Sequence, residues 1–289
     1  MLKLVMSIAA VSLPLLSQTL YANTDFQSIG KLAQLANDTY LDDSSLEKQL
    51  VNQGQQLVQK NIMIGSEVSY FLSKANGVQT IAVRGTSNLT NAMVDIDLSL
   101  RHDPILNIKL HQGFSVAARA VYEDIKPVLN MDAPIHITGH SLGGAIAVII
   151  GMYFTKEGKE IKDITTFGQP KVTNVTGARF FSELPLTRVV NENDIVPLVP
   201  PISPLQIKDL DIFWHMGTEV ILMEDNSYSI TSGVKSALRA TKFTSSIPNQ
   251  NNLEAHRMST YLSKIESLKI SATEIPYKVG IDLFGISIN

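Results

Sequence analysis

No cysteine occurs among the 289 residues. That excludes disulfides, a thiolate nucleophile, thiolate metal sites and lipid attachment through an N-terminal cysteine. Stability must therefore rest on the core. There is no basic cluster and no acidic tail, and the formal net charge is −3, so nucleic acid is not an expected partner. Beyond the first twenty residues no segment runs to ~18 uninterrupted apolar residues, so no transmembrane segment is expected in the mature chain. Repeats, low-complexity tracts and domain-separating linkers are also missing. With 44% apolar and 18% charged residues, the composition is that of a globular chain able to bury a sizeable core.

The N-terminus has the features of a secretory signal. Lys3 supplies positive charge, and Leu4 to Leu16 is almost entirely apolar, with Pro14 near its end. Small and polar residues follow, and Ala22 offers a cleavage position, although Leu20 is larger than the residue usual there. The expectation is a signal peptide at 1–22, then one catalytic domain at 23–289. The protein would be exported to the periplasm or the outside of the cell, and the missing disulfides favour a bacterial source.

Helical spacing predicts helices near Phe26 to Ala36, Leu46 to Val58, Gly113 to Leu129, Ala145 to Phe154 and Leu253 to Leu268. Strands are expected at Val68 to Leu72, Thr80 to Arg84 (after an Asn76-Gly77 turn), Ile135 to Thr138, Ile164 to Phe167, Thr187 to Val190 and Trp214 to Met223. Residues 87 to 110 have weaker periodicity and are expected to be a mobile connection. Alternating helices with short apolar strands predict an α/β fold, a mostly parallel central sheet flanked by helices.

Gly139-His140-Ser141-Leu142-Gly143 lies between a predicted strand and a predicted helix. Three fixed residues of this kind arise by chance in about one chain in ten of this length. The strand–helix context and the extra Gly144 make the pentapeptide a nucleophile elbow, with Ser141 projecting from a strained turn. His140 is expected to be a packing residue. A serine hydroxyl needs a base, and in the order Ser, acid, His both partners lie downstream. His256, at a predicted loop-to-helix junction, is favoured over His215, which lies within an apparent strand. Asp194, after the Thr187 to Val190 strand, is the candidate acid, with Glu192 as its rival. Two donors are needed for the developing oxyanion. Leu142 N–H is one. Thr86, after Arg84-Gly85, is a candidate for the other, but local sequence weighs equally an ordinary strand-ending turn.

Several segments together resemble the class 3 lipases, the family of the fungal triacylglycerol lipases. They are Val83-Arg84-Gly85-Thr86, Asn91 to Asp95, His111-Gln112-Gly113-Phe114, Thr138 to Gly144, Thr166 to Val172, Arg188 to Pro197, and His256-Arg257-Met258 with Tyr261-Leu262. The resemblance spans about 68 to 265 and implies an α/β-hydrolase fold and a lipase acting on acylglycerol esters at a lipid–water interface. It implies Ser141, Asp194 and His256 as the triad and Thr86 with Leu142 as the oxyanion hole. A lid is implied at about 87–103, with Ala92 where the family often has tryptophan. Phospholipase A, feruloyl or carboxyl esterase, and a non-catalytic secreted interaction protein are the alternatives. No cofactor and no metal are expected.

Overall fold

The computed structural model describes residues 24–63, 68–86, 99–201, 211–233, 236, 239 and 250–277, with the backbone of 281–283 and 286–288. The signal segment and residues 87–98 of the expected lid lie outside the described residues.

Two helices come first. Helix α1 (Phe26–Asp38) is started by Asp25, whose carboxylate accepts from the N–H groups of Gln27 and Ser28. Helix α2 (Asp43–Asn52) is capped in the same way by Asp42. Strands β1 (Gln56–Ile62), β2 (Ser69–Ala75) and β3 (Val78–Val83) follow as an antiparallel meander. Leu57 and Val58 therefore belong to β1, not to the second helix that spacing predicted; the helix ends at Asn52 and Gly54 takes φ +68°. Asn76 and Gly77 both have positive φ, as a two-residue hairpin turn requires.

Residues 99–110 are not a loose connection. They contain β4 (Leu100–Asp103) and β5 (Ile108–His111), an antiparallel hairpin whose turn is tied by the Asp103 carboxylate to the N–H groups of Ile105 and Leu106. Its strands are too short for periodicity to reveal. Then come α3 (Gln112–Ile125), β6 (Ile135–His140), α4 (Leu142–Lys156), β7 (Ile161–Phe167), β8 (Thr173–Asn174), α5 (Val175–Phe180) and β9 (Leu186–Asn191). The predicted strand over 214–223 is two: β10 (Phe213–Trp214) and β11 (Thr218–Leu222), parted at Gly217, where φ is +72°. His215 lies in that break. β12 (Ser227–Thr231) was not legible. The last predicted helix is likewise two, α6 (Gln250–His256) and α7 (Met258–Ile270), broken at Arg257.

The main sheet runs β1-β2-β3-β6-β7-β9-β11-β12-β13, where β13 is Thr273–Glu274. Neighbouring strands from β3 through β11 are parallel. Strands β4, β5, β8 and β10 form a separate four-stranded antiparallel sheet. One face of the main sheet is covered by α3 and α4. Helix α4 is buried from Gly143 to Phe154, as expected for a helix that is apolar all round. On the other face, α1 and α7 pack with Phe167, Val189 and Val220. The two helices approach so closely that a Cβ on Gly30 would stand 3.1 Å from Lys269 Cδ.

Candidate active site

Ser141 sits between β6 and α4 with φ +57° and ψ −128°, a conformation that side-chain-bearing residues rarely adopt. Its N–H donates to Phe167 O at 2.8 Å, anchoring the turn to β7. The flanking glycines are there for space. A Cβ on Gly139 would stand 2.4 Å from Gly143 O, and one on Gly143 would stand 2.2 Å from Val83 O. Both obstacles are backbone, which cannot give way cheaply. Helix α4 begins without a side-chain cap, so the dipole at its start faces the serine unopposed.

Asp194 is fully buried beyond the end of β9. Its Oδ1 accepts from Val196 N–H at 2.9 Å. Its Oδ2 accepts from His256 Nδ1 at 2.7 Å and from the Tyr261 hydroxyl at 2.6 Å. This fixes the carboxylate from three sides. Glu192, the rival acid, is only half-buried. His256 is the last residue of α6 and is itself buried; its Nε2 has no hydrogen-bond partner among the described residues. His256 lies beside the elbow, since its ring centroid is 4.6 Å from that of His140, the residue before Ser141. An imidazole oriented by a carboxylate through Nδ1, with Nε2 unoccupied, can accept a proton at that nitrogen.

His215 is elsewhere occupied. Its Nε2 bonds Pro197 O at 2.7 Å, and burial together with the Arg188 charge pushes its pKa well below the ordinary value. It is a neutral structural residue. His140 is also neutral, because burial, reinforced by the neighbouring His256, lowers its pKa to about 3. The packing role expected for it understates what it does, since it bonds the His256 carbonyl through Nε2 at 2.7 Å.

Thr86 is half-buried after β3, and Gly85 beside it lies against Ser141. A Cβ on Gly85 would stand 2.6 Å from His140 O and 3.1 Å from Ser141 Cβ. Leu142, the other expected donor, is the first residue of α4 and packs partly against the core.

Two residues beside the Asp194–His256 pair were given no role from the sequence. Tyr261 was visible as an apolar helix position and as part of the family-like segment after His256, but nothing local announces that its hydroxyl meets Asp194. Gly168, immediately after β7, has φ +61°. A Cβ there would stand 2.7 Å from His256 Cε1 and 2.9 Å from Asp194 Oδ2. Gly168→Ala is therefore expected to displace the histidine and to lower kcat/KM on a short nitrophenyl ester by roughly 10²-fold. Unchanged kinetics in that variant would show that the histidine has room to spare.

A mostly parallel sheet covered on both faces, with a strained serine on the turn from strand to helix, defines the α/β-hydrolase fold. The profile of the family described as Lipase (class 3) matches residues 80–203, which bears out the resemblance drawn from the sequence. A lipase of Rhizopus niveus is 32% identical over 153 residues, which are 48% of this chain and 39% of that protein. A secreted mono- and diacylglycerol lipase of Fusarium solani is 32% identical over 131 residues, covering 42% and 39% of the two chains. The chain thus spans about two fifths of the length of the curated relatives it matches. The crystal structure of a mono- and diacylglycerol lipase from Aspergillus oryzae shares the fold, with a TM-score of 0.66 and 20% identity over 81% of this chain and 96% of that one. These relatives are fungal, so the expected bacterial source finds no support among them.

Proposed function

We propose that the protein is a serine carboxylic ester hydrolase, a lipase cleaving acylglycerol esters through an acyl-enzyme on Ser141. The observation that carries the reading is the Asp194–His256 pair beside a strained serine, with Nε2 of the imidazole unpartnered among the described residues. His256 takes the hydroxyl proton as Ser141 attacks the ester carbonyl, and then gives it to the leaving alcohol. Water repeats the two steps and frees the acid. Asp194 orients the imidazole and stabilises its charged form. The N–H of Leu142 and a donor from Thr86 receive the oxyanion. The reaction needs neither metal nor cofactor.

The acylglycerol reading is supported by the two relatives described as mono- and diacylglycerol lipases. Export after removal of residues 1–22 is supported by the charged and apolar pattern of that segment and by the Fusarium relative, which is described as secreted.

A fluorophosphonate probe tests the reading. It is expected to label Ser141 alone, located by peptide mass analysis, and prior labelling is expected to abolish hydrolysis of emulsified monoacyl- and diacylglycerol. An unlabelled protein, or a label on another residue, defeats the assignment. If phosphatidylcholine vesicles are cleaved faster than acylglycerols, the activity is that of a phospholipase.

A further inference from the structure

Tyr40 lies in the turn after α1, a hundred residues from the elbow, and the sequence gives no reason to connect the two. The residue is 37% exposed, but its hydroxyl reaches inward to His140 Nδ1 at 2.8 Å. The direction of that bond follows from the other side of the ring. His140 Nε2 faces the His256 carbonyl at 2.7 Å, and a carbonyl can only accept. The neutral imidazole must therefore carry its proton on Nε2. Nδ1 is the acceptor, and the Tyr40 hydroxyl donates to it.

The same hydroxyl abuts the loop that precedes Thr86. A Cβ on Gly85 would stand 2.7 Å from Tyr40 Oη, 2.6 Å from His140 O and 3.1 Å from Ser141 Cβ. Burial pushes the phenol up to about 12, against the opposing influence of the Gly85 N–H and the Arg84 charge, so it stays protonated and able to donate. One hydroxyl thus touches the loop on one side of the nucleophile and, through a buried neutral ring, the backbone of the base on the other. Each bond in the relay is buried at the His140 end, where water cannot replace a lost partner.

We propose that Tyr40 is a positioning residue for the ester hydrolysis described above: through His140 it sets the backbone of His256, and by direct contact it sets the Gly85-Thr86 loop. The inference rests on the reading of Ser141, His256 and Asp194 as the reacting set. Tyr40 need not touch substrate to act in this way.

Tyr40→Phe keeps the ring and removes the donor. Its kcat on a soluble nitrophenyl ester is expected to fall about tenfold while KM stays within twofold, since the loss is of alignment and not of binding. The melting temperature is expected to stay close to that of the parent. In ¹⁵N-edited proton NMR the parent is expected to show a slowly exchanging His140 Nε2–H, and the variant is expected to exchange that proton at least tenfold faster. Turnover at the parental rate overturns the inference, as does slowed turnover with the His140 proton still protected. An inert parent chain would instead defeat the proposed function itself, and this inference with it.

Discussion

Ser141→Ala is expected to fold as the parent does and to lose hydrolysis by a factor on the order of 10⁶, as removal of a nucleophile that acts as one unit with its base does elsewhere. The fold is expected to survive because the elbow is held by its backbone. Ser141 N–H bonds Phe167 O, and Ser141 O receives the N–H groups of Gly144 and Ala145. The Ser141 side chain makes no capping bond to α4. Alanine keeps all of this at φ +57°, where serine was already strained. Circular dichroism and a melting curve measure the fold; turnover of a short nitrophenyl ester measures the chemistry. His256→Ala is expected to reach the same floor, and the double variant to fall no further, because neither residue works without the other. Losses that simply added would mean that the two are not partners.

The second large effect concerns stability. Arg188, on the strand that leads to Asp194, is buried together with Arg239, Lys171 and Glu219. Glu219 is the sole acid of that group, paired with Arg188 Nη1 at 3.4 Å and Arg239 Nε at 3.3 Å and accepting from Thr231 Oγ1 at 2.7 Å. Burial alone would raise its pKa, but the charges of Arg239 and Arg188 outweigh burial and hold the carboxyl below its usual range. Glu219→Gln keeps the shape and removes the charge, leaving the buried Arg188 and Arg239 guanidinium groups with no anion among the described residues. A cost of about 3–5 kcal/mol is expected, a large share of the stability of a domain. Urea unfolding measures it, and a loss under about 1 kcal/mol would mean that water enters the cluster.

Lys171 gives the same cluster a pH signature. Burial, and then the Arg188 and Arg239 charges, push its amine down to about 7. Between pH 7 and its ordinary value of 10.5 the unfolded chain holds a proton that the folded chain has lost, so stability rises with pH across that window. Below pH 7 the amine is charged in both states and the full penalty stands. Lys171→Met is expected to remove this rise.

The sequence made the elbow legible because its constraints are local. Gly139, Ser141 and Gly143 satisfy one turn, and the turn is bounded by an apolar strand and an apolar helix. Asp194 and His256 were legible through chain order and family resemblance, and the structure joins them by a 2.7 Å bond. The β4–β5 hairpin was not legible, since four-residue strands show no period. The breaks at Gly217 and Arg257 were missed because apolar spacing continues through them. Tyr261, Gly168 and Tyr40 were missed for a different reason. Each acts across the fold, through a hydroxyl or a missing side chain whose partner lies in a distant element.

The pairing of α1 with α7 bears on how such a molecule is made. Tyr40 follows the first of these helices, and His256 precedes the second. A chain emerging from the ribosome can complete β3, β6 and the serine elbow while His256 is still unsynthesised. Only when α7 has emerged can it lie against α1, bring Tyr261 to Asp194 and seat the His256 carbonyl on His140. Contacts so far apart in sequence form late, because a long loop must close before they contribute. No partly made chain therefore holds the Asp194–His256 pair until the segment that carries His256 and α7 has emerged.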